Sequence, residues 1–228
     1  MMTELGNPEI RLSPKSFEKF VYRTDRQIFL PPPSQLPKCN FFSTISERRS
    51  RRKFLKLSTA ELSNVLWFTC KTFEANQAEA AWQHRCTPSA GGIHPIDVLI
   101  STPAERRRNI YIYEPFSHSL RLVSGIKVRP LQRLLSQVNE IVPVGDGTLI
   151  WFVAQFQKTL SRYKHGESLV WRDSGALLAN LCIVSEAFSL NCCAIGATGN
   201  PHIQNIFNEP EKLRGVGGCV IGARSKSF

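Results

Sequence analysis

Apolar residues recur at helical spacing in three parts of the chain. The first follows Ser58, where Glu61 three residues on completes a capping box, and predicts a helix over 59–73. A shorter helical pattern covers 130–138. The stretch 173–190 is apolar nearly all round, which is typical of a helix buried in a core or at a subunit interface.

Shorter apolar runs between these helices predict strands. The run 148–156 is apolar and β-prone almost throughout, which indicates a strand buried on both faces. Further strands are predicted over 96–101, 109–113, 120–123, 191–195 and 218–222, with a short helix at 202–207. Because helices and strands do not alternate strictly, the pattern favours an α+β fold.

Prolines set the beginning of the chain apart. Pro31, Pro32, Pro33 and Pro37 break any helix and favour extended structure. Residues 1–40 are therefore predicted to be an irregular arm, whose apolar residues wrap the domain or a second subunit. Binding of a peptide is the alternative role of this arm. Residues 41–228 are predicted to form one domain, in keeping with the length of 228 residues.

Composition narrows the class of protein. The formal net charge of +11 favours an anionic cofactor, substrate or partner, or loose attraction to nucleic acid. The seven cysteines are irregularly spaced without a CxxC, and no apolar leader precedes them, so a reducing, cytoplasmic setting is expected. The apolar run 176–184 is too short to span a membrane. The five histidines show no metal-ligand spacing, and no metal site is predicted.

The most concentrated charge lies in Arg-Arg-Ser-Arg-Arg-Lys-Phe at 48–54, predicted to follow a short helix. Taken alone, the run is typical of a solvated patch or a non-specific nucleic-acid surface. Its spacing permits another function, because Arg48, Ser50 and Arg52 could converge on one phosphate.

Two glycine-containing loops supply groups that a flavin ring would need. Small residues at 89–92 leave backbone N–H groups bare, so a flat ring or an anion could approach them closely, and a second glycine loop lies at 196–199. FMN requires cations for its phosphate and slender backbone beside its ring. Either loop alone is more typical of an ordinary turn.

Together these motifs resemble the nitroreductase family of flavin enzymes, within it the SagB-like (thiazole/oxazole dehydrogenase) branch. The resemblance rests on five stretches in the family's order: 48–54, 88–92, 171–181, 195–199 and 217–222. It implies a nitroreductase-like α+β fold, with a mainly antiparallel sheet wrapped by helices. It also implies a homodimer with two FMN sites at the interface.

The resemblance also assigns roles to individual residues. Those expected to bind the phosphate and ribityl chain are Arg48, Ser50 and Arg52, with Arg224 reaching the phosphate. Those expected to line the ring from the other subunit are Pro88, Ser89, Ala90 and Gly91. Those expected to direct backbone N–H groups at the reactive ring nitrogen are Gly196, Ala197 and Thr198.

A Lys-Tyr pair assists proton removal in azoline-oxidising relatives. The nearest match is Tyr163 and Lys164, in reversed order within the polar connector 162–172, where both could equally be surface residues. The function implied is FMN-dependent dehydrogenation of a heterocycle or amino-acid-derived group in a modified peptide or natural product, with biosynthetic partner proteins. One alternative is a nitro, quinone or enone reductase using NAD(P)H. The other is a non-catalytic partner subunit of a larger assembly.

Overall fold

The apolar runs meet in one antiparallel sheet in the computed structural model, which describes residues 6–76, 82–104 and 108–225. Within these residues the sheet has seven strands, which are β2 Thr24–Phe29, β5 Ile96–Thr102, β6 Asn109–Glu114, β7 Ser119–Val123, β8 Thr148–Ala154, β10 Leu190–Ile195 and β11 Arg214–Ala223. Their order across the sheet is β10-β11-β8-β5-β6-β7-β2. Two small antiparallel pairs join β1 (Glu9–Ile10) to β9 (Tyr163–Lys164) and β3 (Glu74–Asn76) to β4 (Trp82–His84).

Helices cover both faces of this sheet. They are α1 Phe41–Glu47, α2 Thr59–Cys70, α3 Val128–Ile141, α4 Phe156–Arg162, α5 Glu167–Ala187 and α6 His202–Phe207. Buried residues of α2 and α5 pack in the core on one face, and those of α3 and α6 pack in the core on the other. This arrangement confirms the predicted α+β class and the sheet wrapped by helices.

Strand β8 shows why the sheet is stable. All seven of its residues are buried, as its apolar sequence predicted. Ile150 and Phe152 point into the core under α2 and α5, whereas Trp151 and Val153 point into the core under α3 and α6. Because alternate residues of a strand face opposite sides, one continuous apolar run fills both cores.

Local signals fix the start of α2. Ser58 accepts a hydrogen bond from the Glu61 N–H at 3.2 Å, and Glu61 Oε2 accepts one from the Ser58 N–H at 2.8 Å. The predicted capping box is therefore present, and the helix ends at Cys70, three residues earlier than expected.

The structure differs from the sequence prediction in the N-terminal arm. Residues 24–29 were expected to be irregular but form β2, which pairs with β7 at one edge of the sheet. The strand is mostly exposed and polar, so it lacks the apolar run that predicted the other strands. Its pairing with β7, rather than its own hydrophobicity, determines its conformation.

The polar connector predicted over 162–172 is also structured. Its beginning is the end of α4 and the strand β9, and α5 then starts at Glu167, six residues before the predicted helix. The first turns of α5 contain exposed polar residues such as Arg172, so they lack the apolar pattern that predicted the rest of the helix, although Val170 is fully buried.

Candidate functional site

The basic run lies along the outer edge of β10. Helix α1 ends at Glu47, and Arg48 caps it. Ser50 forms a parallel bridge with Cys192, and the Arg51 N–H donates to the Cys192 carbonyl at 3.1 Å. This pairing holds the backbone of the run extended, with Ser50 and Arg52 exposed and Arg48 half-buried.

One carboxylate holds two arginines, one inside the basic run and one after the last strand. Glu186, near the end of α5, pairs with Arg51 through one oxygen and with Arg224 at 2.7 Å through the other. Arg224 also donates to Asn191 Oδ1 at 3.1 Å. Burial alone would raise the pKa of Glu186, but the two arginines outweigh it and lower the pKa below its usual value.

This network separates the cations into two groups. Arg51 and Arg224 are already bound to protein acceptors, although Arg224 was predicted to reach the phosphate. Of the predicted phosphate contacts, Ser50 bridges the β10 edge, and Arg48 and Arg52 lie two residues before and after it in the chain.

The loop at 88–92 is fixed by a buried acid. Ser89 Oγ donates to Asp173 Oδ2 at 2.5 Å, and the Ala90 N–H donates to Asp173 Oδ1 at 3.1 Å. Burial raises the pKa of Asp173, although both hydrogen bonds oppose the shift. Gly91 adopts φ +61°, a conformation that L side chains rarely adopt, and completes the tight turn.

Tyr163 reaches the same loop. A β-carbon placed on Gly91 would lie only 2.8 Å from the Tyr163 hydroxyl oxygen, so the tyrosine ends against the bare backbone of the loop. Lys164, the next residue of β9, is exposed and pairs with Glu9 at 3.3 Å. The structure therefore brings Tyr163 to the predicted ring loop and places Lys164 against the N-terminal arm.

The loop at 196–199 continues directly from β10. Gly196 and Thr198 are exposed and Ala197 is half-buried. A β-carbon on Gly196 would meet nothing within 4 Å, so its backbone faces open space. Asn200 ties the loop down, because its side chain exchanges two hydrogen bonds of 2.9 Å with the backbone of Gly215.

The strand registers give the spacing of these three stretches. Ser50 pairs beside Cys192, and Gly196 is four residues further, about 13 Å away at the rise of a strand. The loop at 88–92 leads into β5 at the end of the sheet where β10 finishes, three strand spacings or about 14 Å to the side. The basic run and the 196–199 loop therefore share one edge of the sheet, and the 88–92 loop lies across from them.

A set of buried polar residues beneath the 88–92 loop was not predicted as part of the site. His94, at φ +48°, donates its N–H to Ser89 Oγ at 2.9 Å. Burial, with the charge of Arg85, lowers the pKa of His94 to about 3, so its ring is neutral at pH 7. Lys158 Nζ donates to the His94 carbonyl at 3.3 Å, and burial lowers its pKa. No local sequence pattern identified Lys158 as a site residue, because it lies in α4, a short helix that was not predicted from the sequence.

The cavity among these residues is small. It measures about 20 Å³ and is bordered by Arg85, Ser89, His94 and Asp173. That volume holds about one water molecule, since a cavity needs roughly 10–15 Å³ for one. The interior face of the 88–92 loop is therefore support rather than a substrate chamber.

The residues present fit FMN. Two cations and a hydroxyl along an exposed strand edge suit a phosphate, and the open backbone of Gly196 at the end of the same strand suits a ring edge. Among the described residues no group of three or more histidine, cysteine or acidic side chains is arranged to hold a metal ion. No described helix has both the length and the apolar character needed to cross a bilayer.

Comparison with known proteins identifies the family and the fold. The model of the Nitroreductase family matches residues 45–223. No curated protein matched the sequence. Among solved structures, a candidate nitroreductase from Ralstonia eutropha is 21% identical, with a TM-score of 0.66 over 95% of this chain and 100% of the other.

Two further structures extend the comparison. A chain in the Escherichia coli microcin synthetase McbBCD complex with truncated pro-MccB17 bound is 17% identical, with a TM-score of 0.59 over 92% of this chain and 79% of the other. A nitroreductase family protein from Clostridium difficile is 14% identical, with a TM-score of 0.53 over 83% of this chain and 87% of the other. At these identities the structures establish a shared fold.

The chain belongs to the nitroreductase family, since the family model covers most of its length. It is accordingly an FMN-dependent oxidoreductase, as predicted. This membership favours an enzyme over a non-catalytic partner subunit.

Proposed function

We propose that the protein is a SagB-like dehydrogenase that oxidises a heterocycle or amino-acid-derived group in a modified peptide or similar natural product. The observation that carries the proposal is the position of Tyr163, whose hydroxyl ends at the backbone of Gly91 in the loop predicted to line the flavin ring. A phenol at that place is available to hold or relay the proton that leaves the substrate carbon. The fold shared with a chain of the microcin synthetase complex also supports it.

In this proposal Arg48, Ser50 and Arg52 hold the phosphate, and the N–H groups of 196–198 face the reactive edge of the ring. FMN, when bound, supplies the acceptor for the electron pair removed from the substrate. Glu186 keeps Arg51 and Arg224 in place behind the phosphate contacts. Molecular oxygen is the proposed final electron acceptor.

A homodimer is part of the proposal, because one chain does not bring all the predicted contacts together. The anchors of the two half-sites are Asp173 and Glu186, thirteen residues or about 20 Å apart along α5. A second copy would place its 88–91 loop over the flavin held by the first. Exposed apolar side chains beside the basic run, Phe41 and Phe42 at 62% and 77% exposure, offer a surface for such a contact.

An anaerobic spectrum of the flavin-loaded protein tests the direction of the reaction. The proposal expects the flavin absorbance to bleach with an azoline-containing peptide and to persist with NADH or NADPH. Rapid bleaching by NADPH without any response to the peptide would contradict it and establish the reductase alternative. Light scattering after size-exclusion chromatography tests the dimer, and a flavin-loaded monomer would contradict that part.

A further inference from the structure

A basic groove lies between the N-terminal arm and the segment that carries Tyr163. The strand β1 pairs with β9, and the backbone N–H groups of Arg11 and Lys15 donate to the carbonyls of Arg162 and Ser161 at 2.8 and 2.9 Å. These bonds hold the arm along α4 and leave a groove of about 380 Å³ beside them. That volume lies within the range of about 300–1,000 Å³ found for ligand pockets.

Cations line this groove. Arg11, Lys15 and Lys164 contribute three positive charges, with His165 beside them, against the single carboxylate of Glu167. The Arg11 Nε atom donates to the Leu160 carbonyl at 2.9 Å, which sets the plane of its guanidinium group. Within the described residues, the Lys15 ammonium contacts no acceptor.

The third cation of the groove, Lys164, forms only a weak ion pair. Lys164 pairs with Glu9 at 3.3 Å, but both side chains are more than half exposed, at 52% and 61%. Ion pairs of such exposed groups contribute little stability and exchange readily with another anion. A ligand carboxylate could therefore replace Glu9 at Lys164.

The groove is close to the reacting end of the proposed site. Tyr163 and Lys164 are consecutive residues of β9, and consecutive side chains of a strand point to opposite sides. The side chain of Tyr163 reaches Gly91, whereas Lys164 lines the groove. A ligand in the groove would thus be separated from the 88–91 loop by β9 and the side chain of Tyr163.

We propose that this groove binds carboxylate groups of the peptide substrate, with Arg11, Lys15 and Lys164 as its contacts. The inference rests on the proposed function for the identity of the substrate as a peptide. It adds that acidic residues near the modified group are recognised, and that the N-terminal arm is one wall of the substrate site. Three cations at a half-open surface suit carboxylates spaced along an extended chain.

Fluorescence anisotropy of labelled hexaglutamate with the FMN-loaded protein tests this inference. Exchange of Arg11 and Lys15 for glutamine is expected to weaken binding about threefold to tenfold, since each exposed pair is worth up to about fivefold. Glu9→Gln is expected to strengthen binding about twofold, because it frees Lys164 from its competitor. Labelled hexaserine is expected not to bind.

The matched control removes the same charge from another surface. Arg26→Gln with Arg121→Gln changes two exposed cations on β2 and β7 and is expected to leave binding unchanged. An equal loss of hexaglutamate binding in this control would show that net charge alone attracts the peptide and would overturn the proposal. Displacement of hexaglutamate by inorganic phosphate at lower concentration than by glutarate would also overturn it, because the groove would then be a phosphate site.

The groove proposal and the dehydrogenase proposal can be contradicted independently of each other. Flavin absorbance and the circular dichroism spectrum report whether each variant is folded and loaded. Unchanged hexaglutamate binding in the folded Arg11→Gln, Lys15→Gln variant would remove the groove site while leaving the dehydrogenase proposal intact. Absence of peptide oxidation by wild type would remove the dehydrogenase proposal, whatever the groove binds.

Discussion

Glu186 forms an ion pair with Arg224 at 2.7 Å and so joins the end of α5 to the residue that follows the last strand. The same carboxylate pairs with Arg51 in the basic run, and its side chain is only 7% exposed. One acid therefore connects three parts of the chain at the proposed phosphate end of the site.

Glu186→Gln is expected to lower the free energy of unfolding by roughly 1.5–3 kcal/mol at pH 7, the range for hydrogen bonds to charged groups. Because the arginines lower the folded-state pKa of Glu186, its contribution is present above the ordinary value of 4.5. It is lost as the pH falls through the lowered folded-state pKa. Urea unfolding between pH 3 and pH 7 measures the effect. A stability difference that did not shrink on acidification would contradict the assignment.

Arg48→Ala with Arg52→Ala is expected to abolish retention of FMN. The two guanidinium groups lie on either side of Ser50, and the loss of charge-assisted bonds to a phosphate costs about 1.5–3 kcal/mol for each. Absorbance of the purified protein at the flavin bands measures the outcome. Arg49→Ala with Lys53→Ala removes equal charge from the same run and is expected to retain flavin. Full flavin content in the folded first variant would exclude the phosphate site.

Tyr163→Phe is expected to lower turnover about 100-fold without loss of flavin, because positioned proton transfer contributes about 10²–10⁴-fold. Lys164→Gln is the comparison, since that side chain lies in the groove rather than at Gly91. It is expected to raise KM for an acidic substrate with kcat nearly unchanged. Equal losses of kcat in both variants would restore Lys164 as a catalytic partner.

Gly91→Ala and Gly196→Ala are expected to act differently. At Gly91 the backbone has φ +61° and a β-carbon would press on the Tyr163 hydroxyl, so stability falls by roughly 1–2 kcal/mol. At Gly196 a methyl group meets open space, so stability is kept. If the ring edge lies there, flavin affinity falls instead. Thermal unfolding and flavin titration of both variants separate these effects. If Gly196→Ala lost stability and Gly91→Ala lost flavin affinity instead, the proposed placement of the ring edge at Gly196 would be excluded.

The sequence predicted the elements whose signals are local. The capping box at Ser58 and the apolar run in β8 each depend on a few neighbouring residues, and both are present. Strand β2 and the first turns of α5 were missed because partners distant in the chain stabilise them. The residues of β2 are mostly polar and exposed, and the first turns of α5 set the buried Val170 among exposed residues such as Arg172.

The candidate site likewise combines features visible in the local sequence with contacts between residues distant in the chain. The spacing of Arg48, Ser50 and Arg52 is visible in the sequence, and the structure bridges Ser50 to the β10 edge at Cys192. The anchoring of Ser89 by Asp173 joins residues 84 positions apart, and no local pattern contains it. Likewise, only the tertiary fold shows that Arg51 and Arg224 share the carboxylate of Glu186.

The placement of β10 and β2 at the two edges of the sheet has a consequence for solubility. An unprotected edge strand offers free N–H and C=O groups to other chains and promotes aggregation. The basic run covers part of the β10 edge through Ser50 and Arg51. At the other edge, β2 carries exposed charges and a shift of register between Thr24 and Gln27, which disfavours continued strand addition. Both edges of the sheet thus carry features that disfavour the addition of a strand from another chain.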